Sequence, residues 1–199
     1  MSLIRPNLKP SFLPLGGVEA FAGVEVQGIP RGMVTVDALV KKAAARVVLS
    51  TPVTPGKFLV LFDGSVAEVE ESFSQAEVTA GDQLIDGFML PYAHEQLEPA
   101  VFGVHPPGSD GAIGLVETAT SCSGIRSADA ALKAAKVDVL VLHLSVGIGG
   151  KCYYAFRGEL FDVQASVEAA AGALDGCETL LGTEIIARPH PDFIAALGV

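Results

Sequence analysis

The sequence predicts an α+β fold in which one β-α-β-β-α-β unit is used twice in tandem. Three observations predict it. First, the chain repeats itself. Gly32 matches Gly124 and Asp37 matches Asp129 at an offset of 92, Lys57 matches Lys151 and Gly64 matches Gly158 at 94, and His94 matches His190 at 96. Two insertions of two residues each account for the drift. Such a period is far longer than a solenoid repeat, so it marks domain duplication. Second, half of the 199 residues are apolar and 18% are charged, which is ample material for packed cores. Third, the segment Gly103-Val104-His105-Pro106-Pro107-Gly108-Ser109-Asp110-Gly111 is dense in proline and glycine, as a domain boundary is. The expected division is an arm (1–22), a first domain (23–103), a linker (104–111) and a second domain (112–199).

The arm carries Pro6, Pro10, Pro14 and Gly16-Gly17, which forbid a stable helix. It is expected to dock through Leu3, Ile4, Phe12 and Leu13. A strand is expected near Gly23–Gln27. A helix follows over about Pro30–Ala45, with Pro30 in its first turn and Met33, Val36, Val40 and Ala43 sharing an apolar face. Strands near Arg46–Thr51 and Lys57–Phe62 flank the turn Pro52-Val53-Thr54-Pro55-Gly56. A second helix covers Val66–Ala80, with Val66, Val69, Phe73 and Ala76 inward. Glu68, Glu70 and Glu71 sit in its early turns, where the helix dipole favours anions, and read as a solvated face. A strand near Gln83–Leu90 closes the unit.

The second unit repeats the order. Its strand is Ile113–Thr118, and its first helix is Ser123–Ala135 with Ile125, Ala128, Leu132 and Ala135 inward. Strands Val137–Leu144 and Lys151–Phe156 flank a Gly-rich turn. Its second helix is Leu160–Leu174, with Val163, Val167, Ala170 and Leu174 inward. This is the ferredoxin-like order, with antiparallel sheets and both helices on one face.

Composition excludes several function classes. The formal net charge of −10 argues against nucleic acid, whose phosphates need clustered basic residues. No run approaches the roughly 18 residues of a membrane span, and Arg5, Lys9 and the prolines interrupt any signal-peptide core. Three cysteines, Cys122, Cys152 and Cys177, form no CxxC pair and read as free thiols of a reducing cytosol.

The motifs offer no catalytic set. Gly147-Ile148-Gly149-Gly150-Lys151 is not a phosphate loop: Ser145 and Cys152 occupy positions that need Gly and Ser or Thr, and a strand follows where a helix should. It reads as a tight turn whose small residues let backbones approach an axis closely. No HxxxH or HExxH spacing and no Gly-x-Ser-x-Gly occurs. The paired positions of His94 and His190 imply a shared structural task. Glu25 and Glu117 stand on core strands, where a carboxylate needs a partner. A hydrogen bond across a domain or subunit boundary is the expected one.

Gly114-Leu115-Val116-Glu117-Thr118, Asp129-Ala130-Ala131-Leu132-Lys133-Ala134-Ala135 and Ile186-Ala187-Arg188-Pro189-His190 resemble the bacterial microcompartment shell domain. The first unit resembles it more loosely. Pro55-Gly56-Lys57-Phe58 and the Gly147–Tyr153 segment are similar to the tandem, trimer-forming shell proteins. The resemblance covers Gly23–Gly198. It implies an unpermuted, homotrimeric pseudohexamer with no enzymatic role, set in a cytoplasmic microcompartment shell. Other hexameric and pentameric shell proteins would be its neighbours, and enclosed enzymes its further partners. It implies a central pore lined by Val53, Thr54, Pro55, Gly56, Gly147, Ile148, Gly149 and Gly150, with Lys57 and Lys151 close behind. It implies a tile edge at Lys41, Lys133, Arg188, His190 and His94. Tyr92 stands where the first unit would carry the edge arginine.

Alternatives stay open: a ligand-sensing tandem ferredoxin-like protein, a shell-pore electron relay, or a small enzyme with its site between the domains. Relatives with a pore iron–sulfur cluster place Cys immediately before Pro-Gly-Lys. Thr54 holds that position here, and a hydroxyl cannot replace thiolate ligation. Neither a metal nor a cofactor is expected. Protein purified without oxygen should contain no stoichiometric iron or acid-labile sulfide; a cluster's worth of either overturns the expectation.

Overall fold

A computed structural model describes residues 19–106 and 111–197. The expected docking of the arm lies outside the described residues. The chain runs β1 (Ala20–Val26), α1 (Ile29–Lys42), β2 (Arg46–Val53), β3 (Lys57–Gly64), α2 (Val66–Ala80), β4 (Leu84–Pro91) and a short α3 (Leu97–Val101). It continues with β5 (Ala112–Thr118), α4 (Ser121–Ala134), β6 (Val137–Leu144), β7 (Cys152–Gly158), α5 (Leu160–Gly172), β8 (Leu180–Ile186) and a short α6 (Pro191–Leu197). Two antiparallel sheets result, ordered β2-β3-β1-β4 and β6-β7-β5-β8. Each is the ferredoxin-like arrangement.

The repeat extends to register. Ala20 faces Gly64 as Ala112 faces Gly158. A bulge interrupts β1–β4 between Glu25 and Val26, and its equivalent interrupts β5–β8 between Glu117 and Thr118. β2 and β6 carry matching bulges at Val47/Leu49 and Val139/Val141. Bulges bend a strand and re-aim its side chains, so both units have the same curvature.

Most expected elements are present, with ends shifted by a few residues. α1 stops at Lys42 rather than Ala45, and Ala43 is its extended C-cap. The two short helices α3 and α6 were not expected. Both begin just after a histidine: His94 Nδ1 accepts from Gln96 N at 3.3 Å, and His190 Nδ1 accepts from Asp192 N at 3.2 Å. The paired histidines therefore share a capping task.

α2 starts with a capping box. Glu68 Oε2 accepts from Ser65 N at 3.1 Å while Ser65 Oγ accepts from Glu68 N at 3.4 Å. These bonds hold the Glu68 carboxyl below its ordinary value. Glu71 pairs with Lys42 at 3.0 Å. The acid run is a helix cap and a solvated face.

The inner stripe of α1 differs from the expected one. Gly32, Thr35 and Leu39 face the sheet, while Met33 and Val40 are 57% and 41% exposed. The reason is the close approach at Gly32, where a Cβ would lie 2.4 Å from the Cβ of Phe58. Its counterpart Gly124 on α4 sits against Cys152 in the same way. The glycine face must point inward, which rotates the Met33–Val40 stripe outward. On α4 the matching residues Ile125, Ala128 and Leu132 are buried, in a cluster shared with the first unit's Phe21, Leu49, Leu59, Leu61 and Phe88. The second unit's helix thus covers the bare face of the first unit's sheet. This explains why β1, AFAGVEV, is buried at every residue: it is covered on both faces.

Cys122 and Cys152 are fully buried and Cys177 is exposed. Burial pushes both buried thiols up, so they pack as small apolar groups.

The Gly32 contact is testable. Gly32→Ala should destabilise by about 1–3 kcal/mol through overpacking, read as a lower urea midpoint. Gly172→Ala, whose Cβ meets nothing within 4 Å, should be neutral or stabilising.

Candidate functional site

The two Gly-Lys turns meet at the seam between the units. The Thr54–Gly56 turn carries Pro55 after a cis Thr54–Pro55 bond, and Gly56 has φ 113°. The Gly147–Gly150 turn has positive φ at Gly147, Gly149 and Gly150. This is backbone that glycine adopts without steric strain. Gly147 N donates to Thr54 Oγ1 at 3.1 Å. A Cβ at Gly150 would lie 2.8 Å from Thr54 O, so the turns touch through backbone. Thr54, Pro55, Gly56, Gly147, Ile148 and Gly149 reach the surface, while Gly150 is wedged between the turns. Val53, expected to line the pore, is 4% exposed and packs in the shared core. Its side chain is inward on β2.

Behind the turns lies a buried polar network. Glu25 is wholly buried. Lys57 Nζ donates to Glu25 Oε1 at 3.3 Å and to Gly150 O at 3.3 Å. Ser121 N donates to Glu25 Oε2 at 3.0 Å, and Ser145 Oγ to Oε1 at 3.4 Å. Ser121 and Ser145 belong to the second unit, so the carboxylate is satisfied across the domain boundary, as expected. Burial raises the Glu25 carboxyl, and Lys57 opposes the shift. Lys57 is thereby held in the seam instead of projecting into the open. Glu117 and Lys151 form the matching pair at 3.1 Å, about half exposed.

Asp86 on β4 adds a second set. Its Oδ2 accepts from the Thr120 hydroxyl and, at 2.6 Å, from the Ser123 hydroxyl, at the N-terminus of α4. Thr120 is itself the N-cap, accepting from Ser123 N at 3.1 Å. Further out, Asp129 Oδ1 accepts from His94 N at 2.8 Å, and Gln96 bridges to Asp138 at 3.3 Å and Val139 N at 2.9 Å.

The edge candidates separate. Lys41 is exposed and pairs with Asp37 at 2.6 Å. Lys133 pairs with Asp129 at 2.7 Å. Arg188 and His190 are exposed, whereas His94 lies in the seam. His143 stacks on Tyr153 with ring centroids 5.2 Å apart, and its Nε2 hydrogen-bonds Val146 O at 2.7 Å, which braces the Gly-rich turn. Sequence reasoning missed Asp86, Thr120, Ser121, Ser123, Ser145 and Gln96. The available signals were Asp86 as a lone acid within an apolar strand and Thr120 as a cap before a helix. Among the described residues no three His, Cys, Asp or Glu side chains are grouped to hold a metal ion.

The architecture is thus a tandem pair of ferredoxin-like units whose glycine turns meet at the seam. The BMC domain family model matches residues 20–93 and again 112–189. The chain belongs to the BMC-domain family of bacterial microcompartment shell proteins. It is 34% identical over 172 residues to the bacterial microcompartment shell protein PduT of Citrobacter freundii, covering 86% of this chain and 94% of that one. The carboxysome shell protein CcmK2 of Synechocystis sp. is 42% identical over 82 residues, 40% of this chain and 77% of that one. A crystal structure of a microcompartment protein from Desulfitobacterium hafniense superposes with a TM-score of 0.80 at 32% identity, covering 89% of this chain and 99% of that one.

The raised Glu25 carboxyl sets a pH dependence. It binds its proton more tightly folded than unfolded, so protons are taken up on folding. Its contribution to stability is greatest below the ordinary value of 4.5 and falls as pH rises through the raised one, levelling above it. Glu98, raised by burial and by Asp63, acts with the same sign. Melting temperatures of wild type and Glu25→Gln across pH 4–8 should therefore diverge in slope. The variant should lose less stability with rising pH, and parallel profiles overturn the assignment.

Proposed function

We propose that the chain is a structural tile of a bacterial microcompartment shell, a homotrimer that mimics a hexamer around a central pore. Its two shell domains span about 23–103 and 112–199, joined by the linker. It catalyses no reaction. The observation that carries this reading is the contact between the two glycine turns at the seam. Three copies around an axis would alternate three Thr54 turns with three Gly147–Gly150 turns, closing a ring. The lining would be Thr54, Pro55, Gly56, Gly147, Ile148 and Gly149, mostly backbone and one hydroxyl per chain. Such an opening suits small polar metabolites, selected by diameter and lining groups. Lys41, Lys133, Arg188 and the imidazole of His190 would meet neighbouring tiles. The relatives' names place them in shells, which supports hexameric and pentameric shell proteins as partners and the shell as the location.

Purified protein should form trimers that pack as hexagonal sheets under the electron microscope. In a reconstituted shell, Thr54→Phe should cut the flux of a small polar solute by about tenfold or more, with the shell intact. Unchanged flux overturns the pore assignment, and a chain that never enters sheets overturns the tile.

A further inference from the structure

The seam inside the chain has two sides, and each unit owns one copy of each side. The first unit contributes Glu25, His94 and Gln96, while the second contributes Ser121, Asp129 and Val139. The matching residues that find no such seam within the chain are Glu117, His190 and Asp192 on the second unit. On the first they are Ile29, Asp37 and Val47. The register fixes these equivalences: Val47 faces Phe62 as Val139 faces Phe156, and Glu25 faces Asp86 as Glu117 faces Gly182.

Both unmatched sides are open. On α1, Met33 and Val40 are exposed where Ile125 and Leu132 are buried. On the second sheet a cleft of about 300 Å³ lies over Leu115, Glu117, Tyr153, Gly182 and Glu184. That is the place where, on the first sheet, the N-terminus of α4 is seated. The charges have diverged together. Gln96 meets Asp138 within the chain, whereas its counterpart Asp192 corresponds to a partner at Arg46, the residue aligned with Asp138. Arg46 also holds Asp63 and Glu98, and its side chain stays 40% exposed. Asp192 is 94% exposed.

Resting on the threefold ring proposed above, we propose that a second copy of this chain docks its α1 and β2 onto the β5–β8 face through a defined polar contact. Asp192 of one copy accepts from Val47 N–H of the next and faces its Arg46. Asp37 accepts from His190 N–H across the same boundary, as Asp129 accepts from His94. Glu117 takes the N–H of Ile29, and the Met33–Val40 stripe fills the cleft. The seam within the chain is a neutral amide-to-acid contact at this point, and the seam between chains is an ion pair. That difference directs each side to its own partner, because an acid at 192 is repelled by Asp138 and attracted by Arg46.

The experiment is native mass and sedimentation over a concentration series. Wild type and Asp192→Gln should be trimers, since a carboxamide still accepts from Val47 N–H and Arg46. Asp192→Lys should raise the trimer dissociation constant by about 10- to 100-fold. Glu70→Lys, the same charge change on the exposed face of α2, should leave it unchanged. Because Asp192 is almost wholly exposed within one chain, the lysine variant should keep the wild-type far-UV circular dichroism spectrum and melt as wild type does once both are dilute enough to be monomeric, which separates lost docking from lost folding. A wild-type trimer that Asp192→Lys leaves intact, or that Glu70→Lys weakens equally, overturns this seam while keeping the ring. Wild type that stays monomeric at every concentration overturns both.

Discussion

The first unit's own helices cover only one face of its sheet, and the structure depends on how the other face is buried. Phe21, Leu59 and Leu61 point there and are wholly or almost wholly inaccessible. Each such side chain is worth about 1.5–3 kcal/mol when removed from water. The cover is α4 of the second unit, so the units cannot be placed independently. Burying this face also buries Glu25, and a buried carboxylate requires partners. Lys57, the amide of Ser121 and the hydroxyl of Ser145 supply them. Apolar coverage and polar satisfaction together fix the relation of the two units, and that relation places the two glycine turns against each other.

Much of this was legible in the sequence. The duplication, the order of elements and the extent of α2 follow from offsets and apolar periodicity, which are local properties. The cross-boundary role of Glu25 followed from the same logic: an acid on a core strand must find a partner. What was not legible depends on which apolar stripe of a helix meets which surface. α1 carries two, Gly32–Thr35–Leu39 and Met33–Val36–Val40. Periodicity selects the more apolar one, but the close approach at Gly32 selects the other. The inward side chain of Val53 was not legible for a similar reason: turn composition marks the loop, but strand alternation decides where each side chain points. The hydroxyl cluster around Asp86 was invisible because Ser and Thr before a helix are ordinary caps. Only the fold brings an acid from another unit to them.

The two units keep one backbone and diverge in what coats their open faces. Leu59 and Phe88 in the first correspond to Tyr153 and Glu184 in the second, and Asp86 corresponds to Gly182. The face that is always covered within the chain is apolar with a fully bonded acid. The face left open carries a phenol and carboxylates, which limits the exposed apolar patch that would otherwise invite nonspecific association. Duplication allows this, because each copy of a position then answers to one environment instead of two.

The shared core of the two units has a kinetic consequence. A contact made within one polypeptide forms at an effective concentration set by its connection, commonly in the millimolar range for a short tether. Here α3, in the connection between β4 and β5, lies packed against the shared cluster and brings the start of the second unit close to the first. The seam within the chain is thus closed as the chain folds, whatever the dilution. In the ring proposed above only three bodies would have to meet, so its dependence on protein concentration would be cubic instead of sixth-order. Tiles of this kind would therefore persist at concentrations where six separate domains would drift apart.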